Sequence, residues 1–434
     1  MFSLKNEKPK TKLILFLILG LFLALCFLSF FIHGNETLLG DFETMNNDDV
    51  KYLRSAWTLL ETGQYTYKNP EVPTVFIMPG LTTVLAAFVA LFGQYPILPF
   101  KIFQALLGAC SLYMVFLIAR KYFSERAALI TTFMGAIYFP NIYVTNVLLT
   151  EQIFSFLFAL LVLIVYYAIS EKKLTYYILG GITLGLMALF RPTILLFPVV
   201  VLILWIIHKY KIIEMVKYAL IVIGIVCALL APWIIRNYLT FDRFIPLTIS
   251  SGNPFLQGTF INYDQSVREI ENIDYEALIR EEGVLDYDKF GKDEIVTDEV
   301  ETWIGKYRIK NIMTKEPLKY LYWYTIGKTI ENWKGTFLWI NLFNLPNSLG
   351  LVISVIEHYI FIIFAVIGII QLKRKRKLKG MYWLPILSIL YFNFAHLPFY
   401  AFPRYVYPVM FCVMLFSGYA VDSLLNKRSK FKTL

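Results

Sequence analysis

Three acids and three arginines are the residues whose types and neighbours could do chemistry. Asp48 and Asp49 stand together in Asn46-Asn47-Asp48-Asp49-Val50-Lys51-Tyr52, and Glu151 opens an apolar run in Leu149-Thr150-Glu151-Gln152. A carboxylate at a membrane surface can take a proton from a hydroxyl as a general base. The alternative reading is structural, because acids in the first turn of a helix offset its dipole. The arginines occur in Phe190-Arg191-Pro192, in Trp233 to Asn237 (Arg236), and in Pro403-Arg404-Tyr405. Guanidinium forks suit phosphate oxygens bidentately. Arg191 and Arg236 close apolar runs, where a helix C-terminus favours a cation. Arg404 opens one and has no such explanation. Histidine is sparse: His33 and His208 flank apolar runs, His358 follows Glu357, and His396 lies close to Arg404. His396 reads either as a packed, hydrogen-bonded side chain or as a site residue. No GxGxxG, Walker loop or HExxH is present, so nucleotide-driven chemistry has no support.

The elements that must position these residues are apolar. The chain has 434 residues, 58% hydrophobic and 17% charged, with mean hydropathy +0.59. Soluble domains are about 45–50% apolar and about 25% charged, so a soluble enzyme is excluded. Disorder is excluded as well, since it needs low hydrophobicity. Runs long enough to span a bilayer occur at 12–32, 97–119, 127–145, 150–169, 174–190, 192–207, 213–235, 349–371, 380–398 and 402–423. The first has basic flanks but is too long for a signal peptide and is read as an anchor. A further run, 74–93, is broken by Pro79-Gly80 and polar residues. The net charge of +10 belongs to cytoplasmic loops rather than to a nucleic-acid site. Basic clusters lie at 5–12, 120–126, 172–173, 209–217, 373–377 and 427–432. All six fall on one side if 74–93 stays on the outer face as a hairpin or short helix. That gives ten spans (range 9–12) with both termini cytoplasmic.

On this topology the acids and arginines share the outer face. The first outer loop, 33–73, carries seven acids and three bases. Within it, Asp48 to Leu60 reads as an amphipathic helix stopped at Gly63. Residues 237–318 are polar and acidic. Residues 319–347, with Trp323, Trp333, Lys328 and Lys334, read as an interfacial amphipathic helix. The chain thus divides into a transmembrane module 1–236 with outer loop 33–96, an outer segment 237–347, and C-terminal spans 348–434. Cys26, Cys110, Cys227 and Cys412 lie in apolar runs without a CxxC pair, and no disulfide framework or zinc knuckle is expected.

These pieces together resemble the GT-C glycosyltransferases, in the branch of dolichyl-phosphate-mannose protein mannosyltransferases and lipid A aminoarabinose transferases. The resemblance rests on Asp48-Asp49-Val50-Lys51-Tyr52 followed by Ala56, Leu59-Leu60 and Gly63-Gln64-Tyr65. It continues through Met78-Pro79-Gly80, Leu148-Leu149-Thr150-Glu151 and Leu189-Phe190-Arg191-Pro192. Pro232-Trp233-Ile234-Ile235-Arg236-Asn237, Gly252-Asn253 and Arg404-Tyr405-Val406-Tyr407-Pro408 complete it. Leu81 and Thr82 replace the last two residues of the family's Pro-Gly-Tyr-Pro, and Asp49 stands where Glu is frequent.

The resemblance implies an all-α polytopic bundle with extracytoplasmic juxtamembrane helices and a small outer loop domain. It implies a polyprenyl-phosphate-linked sugar donor and a lipid, glycan or protein acceptor. Asp48, Asp49 and Glu151 match catalytic acids. Arg191, Arg236 and Arg404 would bind the donor phosphate, with Tyr52, Asn237, His396 and Tyr405 in support. Some family members hold a divalent metal near these loops and others hold none, so metal stays open. The compact outer segments point to a bacterial plasma membrane. A transporter or flippase, or a ligase-like enzyme for lipid-linked glycans, is the competing reading. Transporters tend to show repeated halves and charges near the midplane, and neither is visible here.

Overall fold

The computed structural model describes residues 2–33, 39–261, 273–283, 285–335, 337–338 and 341–431. Among these residues the architecture is all helical. The N-terminal half comprises α1 (Pro9–His33), α2 (Asp48–Thr62), α3 (Gly80–Phe92), α4 (Ile97–Tyr122), α5 (Glu125–Ile137), the short α6 (Phe139–Tyr143), α7 (Glu151–Glu171), α8 (Leu174–Ala188), α9 (Pro198–Ile207) and α10 (Ile212–Phe241). An outer unit follows with α11 (Gly252–Gly258), α12 (Tyr275–Glu282) and α13 (Glu294–Asn311). Then come α14 (Pro317–Tyr322) and α15 (Lys328–Trp333), joined by a π turn over Trp323–Gly327, and finally α16 (Asn347–Arg374), α17 (Trp383–Ala395) and α18 (Met410–Phe431).

All ten apolar runs of the sequence are helical for most of their length. Six helices are long and apolar enough to cross a membrane, and α3, α8, the stretch Pro192–Ile207 and the stretch Gly380–Ala395 are shorter apolar helices. The run 127–145 is not one helix, because Tyr138 is extended and α6 restarts with Pro140 in its first turn. The run 74–93 yields only the 13-residue α3, about 20 Å long at 1.5 Å per residue and too short to span unaided.

Local chemistry sets the helix ends. The Asn47 side chain accepts from the Asp48 N–H, and Gly63 ends α2 at φ 71°, its N–H donating to the Leu59 carbonyl. Helices α4, α7, α8 and α10 pack in sequence, while α18 lies between α5 and α16. The outer unit has its own small core of Leu256, Phe260, Tyr275, Ile279, Val300 and Ile304. The interfacial helix expected over 319–347 is helical only as far as Trp333, and Pro317–Trp333 has two unlike faces. Leu318, Leu321, Ile326 and Ile330 are exposed, whereas Tyr320, Lys328 and Asn332 are buried.

Candidate active site

A cavity of about 370 Å³ opens where the start of α2, the start of α7, the end of α8 and the segment after α17 converge. Asp48, Tyr52, Arg191, His396, Arg404 and Tyr405 line it, although the sequence spreads them over more than 350 positions. The volume lies within the range of small-molecule sites.

Asp48 is the first residue of α2, and its carboxylate accepts a 2.7 Å hydrogen bond from the Tyr67 hydroxyl. Burial, together with the nearby Asp48 charge, holds the phenols of Tyr52 and Tyr67 above their ordinary value. Both therefore stay protonated and able to donate. Asp49 points elsewhere. It is fully buried and accepts from the backbone N–H groups of Leu39, Gly40 and Val50. Burial raises its pKa while these three donors pull it down. Its geometry is that of a loop clasp at the start of α2, away from the cavity wall.

Glu151 is fully buried at the first turn of α7. One carboxylate oxygen, Oε1, accepts from Arg191 Nη2 at 2.7 Å and from Arg404 Nε. Arg191 Nε also donates to Thr150 Oγ1 at 2.9 Å. The acid therefore stands behind the two guanidiniums, whose side chains keep 17% and 19% exposure. Two cations and one anion leave these three side chains with a single net positive charge, which the Asp48 carboxylate on the same cavity offsets.

Gly80 explains how Arg191 is aimed. The Gly80 N–H donates to the Leu189 carbonyl at 2.8 Å, and a Cβ at Gly80 would lie 2.6 Å from that oxygen. Only glycine lets the start of α3 press against the end of α8, two residues before Arg191. His396, just after α17, stacks on Tyr405 with ring centroids 4.7 Å apart, and its Nδ1 lies 2.8 Å from the Phe392 carbonyl.

Arg236 and Asn237 do not line the cavity. Arg236 donates to the carbonyls of Thr74 and Tyr65 at 2.6 and 3.1 Å, and sits against Tyr65, Trp233 and Phe241. The Asn237 amide donates to the Ile245 carbonyl at 2.9 Å. Together they stitch the first outer loop and the segment 245–251 onto the end of α10. The Ile249 N–H then bonds the Val75 carbonyl at 3.0 Å, which brings Thr248, Ser250 and Ser251 to the cavity. These hydroxyls and Tyr67 are the residues the sequence reading missed. The Thr-Ile-Ser-Ser run before Gly252-Asn253 was the available signal.

Among the described residues, no group of three or more His, Cys, Asp or Glu side chains is arranged to hold a metal. His358 is packed, with Nδ1 3.2 Å from the Tyr138 hydroxyl and Nε2 3.1 Å from the Trp333 carbonyl.

The fold is an all-helical bundle with six helices long and apolar enough to cross a membrane, and it can be set beside known proteins. Residues 73–235 match the family model described as dolichyl-phosphate-mannose-protein mannosyltransferase. That segment holds Glu151 and Arg191 but neither Asp48 nor Arg404. No curated protein matches the chain. Among solved structures, the apo oligosaccharyltransferase of Archaeoglobus fulgidus aligns with TM-score 0.54 and 14% identity, over 96% of this chain and 51% of that one. The Archaeoglobus fulgidus AglB complex with an inhibitory peptide and a dolichol-phosphate gives 0.53 and 13%, over 96% and 51%. ArnT from Cupriavidus metallidurans bound to undecaprenyl phosphate gives 0.43 and 13%, over 93% and 77%. The chain spans about half the length of the oligosaccharyltransferases it matches. Their likeness shows the fold alone, that of GT-C membrane proteins, and the long apolar helices of this chain fit it.

Proposed function

We propose that the chain is a membrane glycosyltransferase. It moves a sugar from a polyprenyl-phosphate donor to an acceptor hydroxyl on the extracytoplasmic face, with both termini cytoplasmic. The observation that carries this reading is the shared cavity: a carboxylate, Asp48, and two guanidiniums backed by one buried acid all line it.

Each group then has a task. The donor phosphate lies against Arg191 and Arg404, which take up the charge that grows on its oxygen as the bond to the anomeric carbon breaks. The acceptor oxygen attacks that carbon from the opposite side and gives its proton to the Asp48 carboxylate. One displacement inverts the anomeric centre. Glu151 holds the arginines in a fixed fork, and Tyr67 orients Asp48. Thr248, Ser250 and Ser251 offer hydroxyls to the sugar or to the acceptor. Asp49 and Arg236 act as supports for the loops that carry the site. The family model and the fold support a lipid-phosphate donor in general terms.

The test is transfer from a panel of radiolabelled undecaprenyl-phosphate sugars by wild type and by Asp48→Asn, with label followed into water or a cell-envelope extract. General-base help is worth roughly 10²–10⁴-fold, so the variant should lose at least a hundredfold while inserting normally. Equal turnover by the variant removes Asp48 as the base. No release by folded wild type across the panel removes the transferase reading in favour of transport or ligation.

A further inference from the structure

Arg404 is delivered to the cavity by a segment, 396–402, that forms no regular helix after α17 ends. His396 and Phe399 of this segment line the cavity directly. Such a stretch needs outside donors and acceptors, because the last carbonyls of a helix and the loop beyond it have no ladder partners.

The partners come from two sides. Lys328 in α15 is 1% exposed, and its Nζ donates to the carbonyls of Leu397 and Phe399 at 2.6 and 2.9 Å. Its neighbour one turn on, Asn332, accepts from the Phe402 N–H at 3.1 Å. From the outer unit, the Pro254 carbonyl accepts from the Tyr400 N–H at 2.8 Å. Gly258 packs so closely that a Cβ there would lie 2.7 Å from the Phe399 carbonyl carbon. Helix α15 is itself fixed: Trp333 Nε1 donates to Asn393, the Asn393 amide donates to Thr329, and the Trp333 carbonyl meets His358.

Lys328 has no carboxylate within ion-pair distance among the described residues and does not line the cavity. A buried lysine without an acid is costly, and here its amine serves two loop carbonyls. An apolar residue would fill the same space without serving them.

We infer that Lys328 and Asn332 are positioning residues for donor binding: they set the path of 396–402 and through it the place of the Arg404 guanidinium. This rests on the glycosyltransferase reading above. The chemistry recognised is a lipid-linked phosphate, and α15 acts on it only through the loop.

The experiment compares wild type with Lys328→Met, Lys328→Arg and Asn332→Leu in nanodiscs. Transfer kinetics are measured with donor and acceptor varied separately, and binding of tritiated undecaprenyl phosphate is measured without transfer. A displaced phosphate ligand costs on the order of tenfold or more. Lys328→Met and Asn332→Leu should therefore raise the donor KM, and the dissociation constant for undecaprenyl phosphate, about tenfold. The acceptor KM should not move. Lys328→Arg, which can donate to both carbonyls, should recover most of the loss. An unchanged donor KM and unchanged lipid binding in folded Lys328→Met overturn the inference, as does an equal loss for donor and acceptor. If wild type transfers nothing, the parent reading fails by itself, and lipid binding that is equal in wild type and variants then overturns this inference separately.

Discussion

Glu151→Gln probes the arginine fork most directly. The substitution keeps volume and one acceptor oxygen, so it opens no hole. It removes the charge that two guanidiniums share, and it puts an amide nitrogen where Oε2 now faces no donor among the described residues. Hydrogen bonds to charged groups contribute about 1.5–3 kcal/mol, against about 1 for neutral ones. Two bonds each losing roughly 1–2 kcal/mol put the loss near 3 kcal/mol. Full burial would push it to about 3–5 kcal/mol. The cavity-facing exposure of Arg191 and Arg404, 17% and 19%, keeps it at the lower end. The assay is thermal unfolding in detergent, where a drop on the order of 5 °C is expected. A cycle with Arg404→Met should give a coupling energy of about 2 kcal/mol. Undecaprenyl phosphate should restore more stability to the variant than to wild type, because the uncompensated arginines accept the phosphate. At a hundredfold excess over its dissociation constant a ligand contributes about 2.7 kcal/mol. A loss below about 1 kcal/mol, a coupling near zero, or a weaker lipid effect in the variant would refute the fork.

Two further outcomes follow from close packing and burial. Gly80→Ala sets a Cβ 2.6 Å from the Leu189 carbonyl. It should cost about 1–3 kcal/mol and weaken donor use by moving Arg191; a variant with wild-type melting and donor KM shows that the α3–α8 contact is slack. Burial lowers the pKa of Lys328 to about 7, below its unfolded value. Between about pH 7 and 10 the unfolded chain binds the extra proton, so stability should rise with pH by up to about 1.4 kcal/mol per unit from this one group. Lys328→Met should lose that slope in a melting series against pH, and parallel curves would contradict it.

Much of the fold was legible because spanning helices are written as apolar runs. All ten runs proved helical, and Asn47, Gly63 and the acid pair marked the ends of α2 as physical chemistry requires. The break at Tyr138 was hidden because Phe139, Pro140 and Ile142 keep the run apolar across it. In the site, Arg191 and Arg404 were readable as arginines at the ends of apolar runs, and Asp48 as an acid in the first turn of an amphipathic helix. What failed was the distinction between like residues. Asp48 and Asp49 differ only in the direction a helical turn gives them, and one faces a cavity while the other clasps a loop. Arg236 ends a span as Arg191 does, yet it meets backbone carbonyls instead of a carboxylate. Tyr67, Thr248 and Ser251 carry no signal of their own, since a hydroxyl gains meaning only from what the loop brings opposite it.

The bond between Arg404 and Glu151 joins positions 253 residues apart. A membrane chain is inserted from its N-terminus onward, and domains generally fold in that order during synthesis. Glu151 and Arg191 thus meet early as a balanced pair, neutral and tolerable near hydrocarbon. Until Arg404 is made, Arg191 has Glu151 to itself, and the two-cation arrangement that faces the cavity comes together only when segments 253 residues apart meet.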